Sequence, residues 1–173
     1  ATVILSGRHL SLSRAILAAL TSAGVAIVLV GEDGLPVGQV LPLDQHTTQA
    51  QRFRAQADLS RPRCKRIWQS IIRAKITGQG RLLEQLHGTD SGLLAIVQQV
   101  RSGDPDNREA MAARRYWPRI FGDPDFRRRR DCDDQNRLLN YGYTIMRAAV
   151  ARAISASGLH PGLGVHQSRR YNW

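Results

Sequence analysis

Glu109 and His166 bracket the stretch of this chain whose residue types could do chemistry. Glu109 heads a segment reading Glu109-Ala-Met-Ala-Ala-Arg-Arg-Tyr-Trp-Pro-Arg-Ile-Phe-Gly122, and His166 stands in a glycine-rich turn after Gly164 and Val165. A carboxylate and an imidazole can together hold a hard divalent ion, and neighbouring arginines can hold the phosphates it acts on. Each residue also has an ordinary reading. Glu109 near a helix start complements the positive end of the helix dipole, and a single His is often a hydrogen-bonded structural residue. Tyr116, Trp117, Tyr141 and Tyr143 could stack on bases, yet aromatics at helical spacing are usually core. The Asp131-Cys-Asp-Asp134 cluster reads as a loop that caps the last helix, not as a metal site.

The charge balance narrows the partner. Lys+Arg number 25 against 14 Asp+Glu, a net charge of +11 over 173 residues. All the basic residues but Lys65 and Lys75 are arginine, which favours bidentate phosphate contacts over diffuse solubilising charge. They cluster: between residues 52 and 75 only Asp58 opposes eight cations, Arg127 to Arg130 run consecutively, and no acid follows Asp134. A polyanion is the expected partner, nucleic acid before membrane, because no Lys-rich amphipathic helix lies beside an apolar anchor. Nor does any apolar run approach the ~18 residues of a membrane span. Cys64 and Cys132 lack metal-type spacing and read as free thiols of a reducing compartment.

The elements that must position these residues read as α+β. Val3 to Leu5, Val25 to Val30 and Pro36 to Leu41 are expected strands. A helix capped by Ser11 or Ser13 lies between the first two and ends at Gly24. This opening third, residues 1–45, reads as mixed α and β and is too short for a complete sheet, and residues 46–173 read as mostly α-helical. In the helix after Arg63, the residues Ile67, Trp68, Ile71, Ile72 and Ile76 make an apolar face, with Gly78 near its end and Leu82, Leu83 and Leu86 suggesting a continuation. Asp104-Pro-Asp-Asn107 is a strong helix-start signal that puts Glu109 in the first turn. The last helix, about Gln135 to Ser157, carries Leu138, Gly142, Ile145, Ala149 and Ala153 on one side, small enough for another helix to approach. Both chain ends look cut: the first residues already read as a strand, and Trp173 comes straight after the His166 turn.

Four segments together resemble a known family: Arg108-Glu-Ala-Met-Ala-Ala-Arg-Arg-Tyr-Trp117, Leu138-Leu-Asn-Tyr-Gly-Tyr-Thr-Ile-Met-Arg147, Ala148-Ala-Val-Ala-Arg-Ala153, and Gly158-Leu-His-Pro-Gly-Leu-Gly-Val-His166. They are similar to the CRISPR-associated integrase, the metal-dependent DNA nuclease that inserts new spacers into CRISPR arrays, and most of all to versions from type II systems. The likeness continues through Leu35 to Gly38 and Arg63 to Ile76, nearly the whole chain.

The resemblance implies a β-rich N-terminal domain and a helical C-terminal domain that holds the active site. It implies a homodimer that works with a small ferredoxin-like dimeric adaptation protein on double-stranded DNA, both spacer precursor and array. It implies Mg²⁺ or Mn²⁺ held by a Glu, a His and a later acid. Glu109 matches the first. The family's His stands three residues after the glycine of the turn, which here is Gln167 with His166 just before it, so both are candidate ligands. The third position falls past Trp173. Arg114 and Arg115, taken as one turn on from Glu109, are the first candidates for holding DNA, followed by Lys75, Asn140, Tyr141, Arg169 and Arg170. The alternatives are a catalytically silent DNA-binding subunit of the same complex, and a basic helical nucleic-acid-binding module outside the family.

Overall fold

A computed structural model of the chain describes residues 1–32, 36–40, 47–129 and 134–166. It is α+β, in the order β1 (Thr2–Leu5), α1 (Arg14–Ser22), β2 (Ala26–Val30), β3 (Pro36–Val40), α2 (Gln49–Ala57), α3 (Arg61–His87), α4 (Leu93–Gln99), α5 (Arg108–Phe121) and α6 (Gln135–Ala156). None of the described helices is long and apolar enough to cross a membrane. The chain forms two compact units, Ala1–Asp58 with Arg129–Leu163, and Leu59–Arg128 with the stretch that begins at Gly164. This division differs from a cut near residue 45, because the last long helix belongs with the strands.

In the first unit the three strands form one sheet in the order β1-β2-β3. The β1–β2 pair is parallel, with Val3 opposite Ile27, and β2–β3 is antiparallel, with Val28 opposite Gln39. Ala26, Ile27 and Val28 of the central strand are fully buried. The apolar Val25–Val30 run is buried in its first half, where α1 and α6 pack on β2, while Leu29 stays 40% exposed. Of the two candidate caps, Ser13 starts α1, its Oγ accepting from the Ile16 N–H.

Helix α6 packs against β2 and β3, and the Arg152 guanidinium donates to the Gly24 carbonyl. Its inner face runs through Tyr141, Ile145, Ala148 and Arg152, at helical spacing. The side expected from sequence is largely uncovered: Leu138 is 75% exposed, Ala149 and Ala153 are exposed, and nothing lies within 4 Å of a Cβ built on Gly142. The reason is the partner: α6 lies on the sheet through Ile145 and Ala148, and among the described residues no second helix comes to the small-residue side. Helix α2 grips the turn after α6. The Gln56 side chain donates to the carbonyls of His160 and Leu163 and accepts from the His160 N–H, at 3.0, 2.8 and 2.8 Å.

The second unit is built on α3, one unbroken helix of 27 residues. Gly78 does not end it. Gly80 is buried, and a Cβ added there would lie only 3.2 Å from Leu94 and 3.3 Å from Leu93, so the absent side chain lets α4 sit directly on α3. The helix stops at Gly88, whose φ of 72° is the left-handed cap. Ile72, Ile76 and Leu83 of α3, Leu93, Ile96 and Val100 around α4, and Ala112 and Tyr116 of α5 form the core, with Trp68, Met111 and Trp117 packed against it.

Candidate functional site

Helix α5 starts where the sequence demands. Asn107 is the N-cap, in the left-handed region at φ 51°, and its Oδ1 accepts from the Ala110 N–H. The Asp104 carboxylate accepts the next two free donors, the N–H groups of Arg108 at 2.8 Å and Glu109 at 3.1 Å. A helix leaves its first N–H groups without internal partners, and here side chains take three of them. Glu109 therefore stands at a fixed height in the first turn.

Its direction is fixed by packing. Ala112 and Tyr116 follow Glu109 by three and seven residues, and both are buried against α3. Glu109 thus continues the buried face of α5 out to its open end, where it meets Lys75, with Nζ 2.5 Å from Oε1. Lys75 lies beside Ile72 and Ile76 on α3 and likewise continues an apolar face. The pair is the polar margin of the α3–α5 interface, and both side chains stay partly open, 46% exposed for Lys75 and 32% for Glu109.

The loop that leads into α5 is tied to α3 as well. Gln69 and Arg73 donate to the Val100 carbonyl at 2.7 and 2.9 Å, and the Gly103 N–H donates to the Lys65 carbonyl at 3.1 Å. Gly103 has φ 78°, and a Cβ there would come within 3.0 Å of the Lys65 side chain, so the loop approaches α3 more closely than other residues permit. Across the same loop Arg101 grips Asp106 through two hydrogen bonds of 2.9 and 2.7 Å, which hold the Asp106 carboxyl below its usual value.

His166 is also held by α3. Its ring stacks on Trp68, with centroids 4.4 Å apart and planes 11° from parallel. Trp68 and Lys75 are seven residues apart, so they share a face of α3 at a separation of roughly 10 Å along its axis. The two candidate ligands, 57 positions apart in sequence by their numbers, are thus each anchored to one helix.

Other expected site residues are placed differently. Arg114 and Arg115 are exposed on α5, but five and six residues from Glu109 put them about 140° and 240° around the helix from it. They are not one turn on, and they face away from the carboxylate. Asn140 and Tyr141 are half-buried on α6 in the other compact unit. Gln167, Arg169 and Arg170, and Cys132 with most of its acidic cluster, lie outside the described residues. Asp134 of that cluster caps α6, accepting from the Asn136 N–H at 2.8 Å, and this bond holds its carboxyl low. Tyr116 is buried, and Trp117 meets Tyr116, Phe121 and Phe126 in an aromatic cluster, so both belong to packing. Asn136, fully buried and accepting the Arg129 N–H at 2.9 Å, carried no signal in sequence.

Among the described residues no three His, Cys, Asp or Glu side chains gather as a metal site. Glu109 and His166 offer one oxygen-donor group and one nitrogen-donor group. The ammonium of Lys75 against Oε1 shows that a cation is accommodated at the carboxylate. A carboxylate and an imidazole are donor types that would suit Mn²⁺.

Comparison with known proteins accords with the segments quoted above. The family described as CRISPR associated protein Cas1 matches residues 1–172. The chain is 35% identical over 175 residues to a CRISPR-associated endonuclease Cas1 of Neisseria meningitidis serogroup C, covering 99% of this chain and 57% of that protein. It is 27% identical over 197 residues to one of Hyperthermus butylicus, covering 96% and 58%. The chain thus spans less than two thirds of the length of these relatives. Its fold is similar to that of a casposase bound to integration product, with a TM-score of 0.73 at 20% identity over 97% of this chain and 53% of that one. The chain belongs to the CRISPR-associated Cas1 family.

Proposed function

We propose that this chain acts in a metal-dependent DNA integrase and endonuclease, which inserts spacer DNA into a CRISPR array by attack of a 3′ hydroxyl on a phosphodiester. The observation that carries the reading is Glu109 itself, doubly fixed by Asp104 and by packing, and presented at the open margin of α5 opposite a cation. Family membership supports it, as do relatives named endonucleases and a fold shared with a casposase bound to integration product.

In this reading Glu109 and His166 hold Mg²⁺ or Mn²⁺, with Gln167 adjoining. The ion, when bound, supplies charge stabilisation to the phosphoryl oxygens of the attacked phosphodiester. The chain needs no Ser, Cys or His nucleophile, since the attacking group belongs to the DNA. Trp68 keeps the imidazole plane fixed. Lys75, Arg114, Arg115, Arg169, Arg170, Asn140 and Tyr141 contact DNA. Arg114 and Arg115, facing away from Glu109, serve duplex outside the reacting phosphodiester. The partners are double-stranded DNA, a second copy of the chain and a small ferredoxin-like dimeric protein, in a prokaryotic cytoplasm. Tyr143, Met146 and Val150, an exposed stripe on α6, suit burial against another protein surface.

The test is strand transfer and cleavage of branched DNA with Mn²⁺. Glu109→Ala is expected to abolish both while DNA affinity stays within about twofold, because one carboxylate weighs little against an arginine-rich surface. If Glu109 serves only the helix dipole, the change costs about 0.3–1 kcal/mol of stability and turnover persists. Gln167, standing where the family has its His, favours a second reading, a silent DNA-binding subunit. Tight binding by the unaltered chain with no turnover under the same conditions would select it.

A further inference from the structure

We propose that Lys75 is an exchangeable counter-ion of Glu109: it holds the carboxylate while no divalent cation is bound, is displaced when one binds, and then contacts a DNA phosphate. The inference rests on the reading of Glu109 as a metal ligand. Its ground is the 2.5 Å contact between Lys75 Nζ and Glu109 Oε1, at the open margin of an otherwise apolar interface.

Three properties make this contact exchangeable. Both side chains are reached by solvent, at 46% and 32% exposure, so an ion can approach and the ammonium can leave. Ion pairs this open contribute little to stability, so their exchange is cheap. And the backbone around Glu109 does not depend on the lysine, because Asp104 fixes the first turn of α5, while Gln69 and Arg73 fix the preceding loop. Removing the ammonium leaves the carboxylate at the same height.

The exchange has a direction. An ammonium and a divalent cation on one carboxylate repel each other. At 4 Å in water that repulsion corresponds to about thirtyfold in affinity, and the modest strength of exposed pairs sets a lower end of about threefold. Lys75 is a point charge on a flexible four-carbon stem with three rotatable donors, suited to leaving one oxygen anion for another. Once displaced, it is a cation a few ångströms from the site on a chain of +11, where a phosphate is the available anion. Cation binding and DNA binding are then coupled, and each strengthens the other by the same factor.

The experiment titrates Mn²⁺ by electron paramagnetic resonance into the wild-type chain and into Lys75→Met, Lys75→Arg and Glu109→Gln. Duplex DNA affinity is measured for each with and without Mn²⁺. Without DNA, Lys75→Met is expected to bind Mn²⁺ about three- to thirtyfold more tightly than wild type, and Lys75→Arg no more tightly. Mn²⁺ should raise DNA affinity in the wild type more than in Lys75→Met. Unchanged or weaker Mn²⁺ binding by Lys75→Met, with Glu109→Gln binding weakly, overturns the exchange and leaves Glu109 as the ligand. Undiminished Mn²⁺ binding by Glu109→Gln overturns the ligand reading and the exchange with it. Should Lys75→Met fail to fold, Lys75→Gln makes the same comparison.

Discussion

The Trp68 indole and the His166 imidazole lie face to face, 4.4 Å between centroids. A contact between side chains so far apart in sequence closes the unit that contains Glu109 without a covalent link. It also sets an aromatic ring flat against a candidate ligand, with the planes 11° from parallel.

Trp68→Leu should therefore act on His166 in particular. An aromatic pair is worth about 0.5–1.5 kcal/mol beyond its area, so Mn²⁺ affinity is expected to fall roughly two- to tenfold. The imidazole proton resonances should lose the upfield shift that a stacked indole imposes, and Trp68→Phe should retain most of both. Unmoved resonances in Trp68→Leu would mean that the stack is absent in solution.

Binding to duplex DNA should be dominated by phosphate contacts. With arginines spread over α2, α3, α5 and the 127–130 run, six such contacts would weaken affinity on the order of a thousandfold between about 50 and 200 mM salt. A flat salt dependence in a fluorescence-anisotropy titration would remove nucleic acid as the main partner.

The two glycines of α3 should respond oppositely to alanine. Gly78 has open space around it, with nothing within 4 Å of where a Cβ would stand, so Gly78→Ala should stabilise by up to about 1 kcal/mol, the ordinary helix-propensity gain. At Gly80 the methyl would meet Leu94 at 3.2 Å and Leu93 at 3.3 Å. Overpacking of about 1–3 kcal/mol should outweigh that gain, lowering the thermal midpoint.

Acid should loosen the start of α4. Hydrogen bonds from the N–H groups of Leu94 and Gly92 hold the Asp90 carboxyl below its usual 3.8. A carboxyl lowered in the folded state contributes stability that is complete above the unfolded value and is lost as pH falls through the folded one. The stability difference between wild type and Asp90→Asn, followed by circular dichroism, should thus be constant above about pH 5 and shrink below about pH 4. A difference that persists at low pH would show that Asp90 acts through packing.

What the sequence reveals is what depends on neighbours in the chain. Asp104-Pro-Asp-Asn107 announced α5 and the height of Glu109, because capping acts within a few residues. The Val25–Val30 run and the Ser13 cap were legible for the same reason. The facing of Arg114 and Arg115 was also there to be counted, since five and six residues are not a helical turn. Lys75 is different. Its type and its place beside Ile72 and Ile76 were visible, yet its pairing with Glu109 crosses 34 residues and depends on how α5 lies on α3. The same holds for Trp68 with His166. The covered face of α6 is turned by roughly 70° from the small-residue side and shares only Ile145 with it, because small residues invite a helix only if one is near. Gly78 and Gly80 look alike as letters and differ only in what stands above them.

The chain's connectivity carries a consequence for the order in which it acquires structure. Helices α3, α4 and α5 are consecutive and pack on one another within Leu59–Arg128, so their contacts close short loops at small entropic cost. The sheet unit joins residues 1–58 to residues 129–163, and α6 must be synthesised before β2 and β3 can be covered. During synthesis the three-helix core should thus mature while the sheet still lacks α6. Pulsed hydrogen exchange should show amides of α3 and α5 protected before those of β2. In that interval the apolar Ala26–Val30 strand is the exposed, β-prone segment of the nascent chain, and substitutions that slow the docking of α6 should appear as lost solubility before they appear as lost stability.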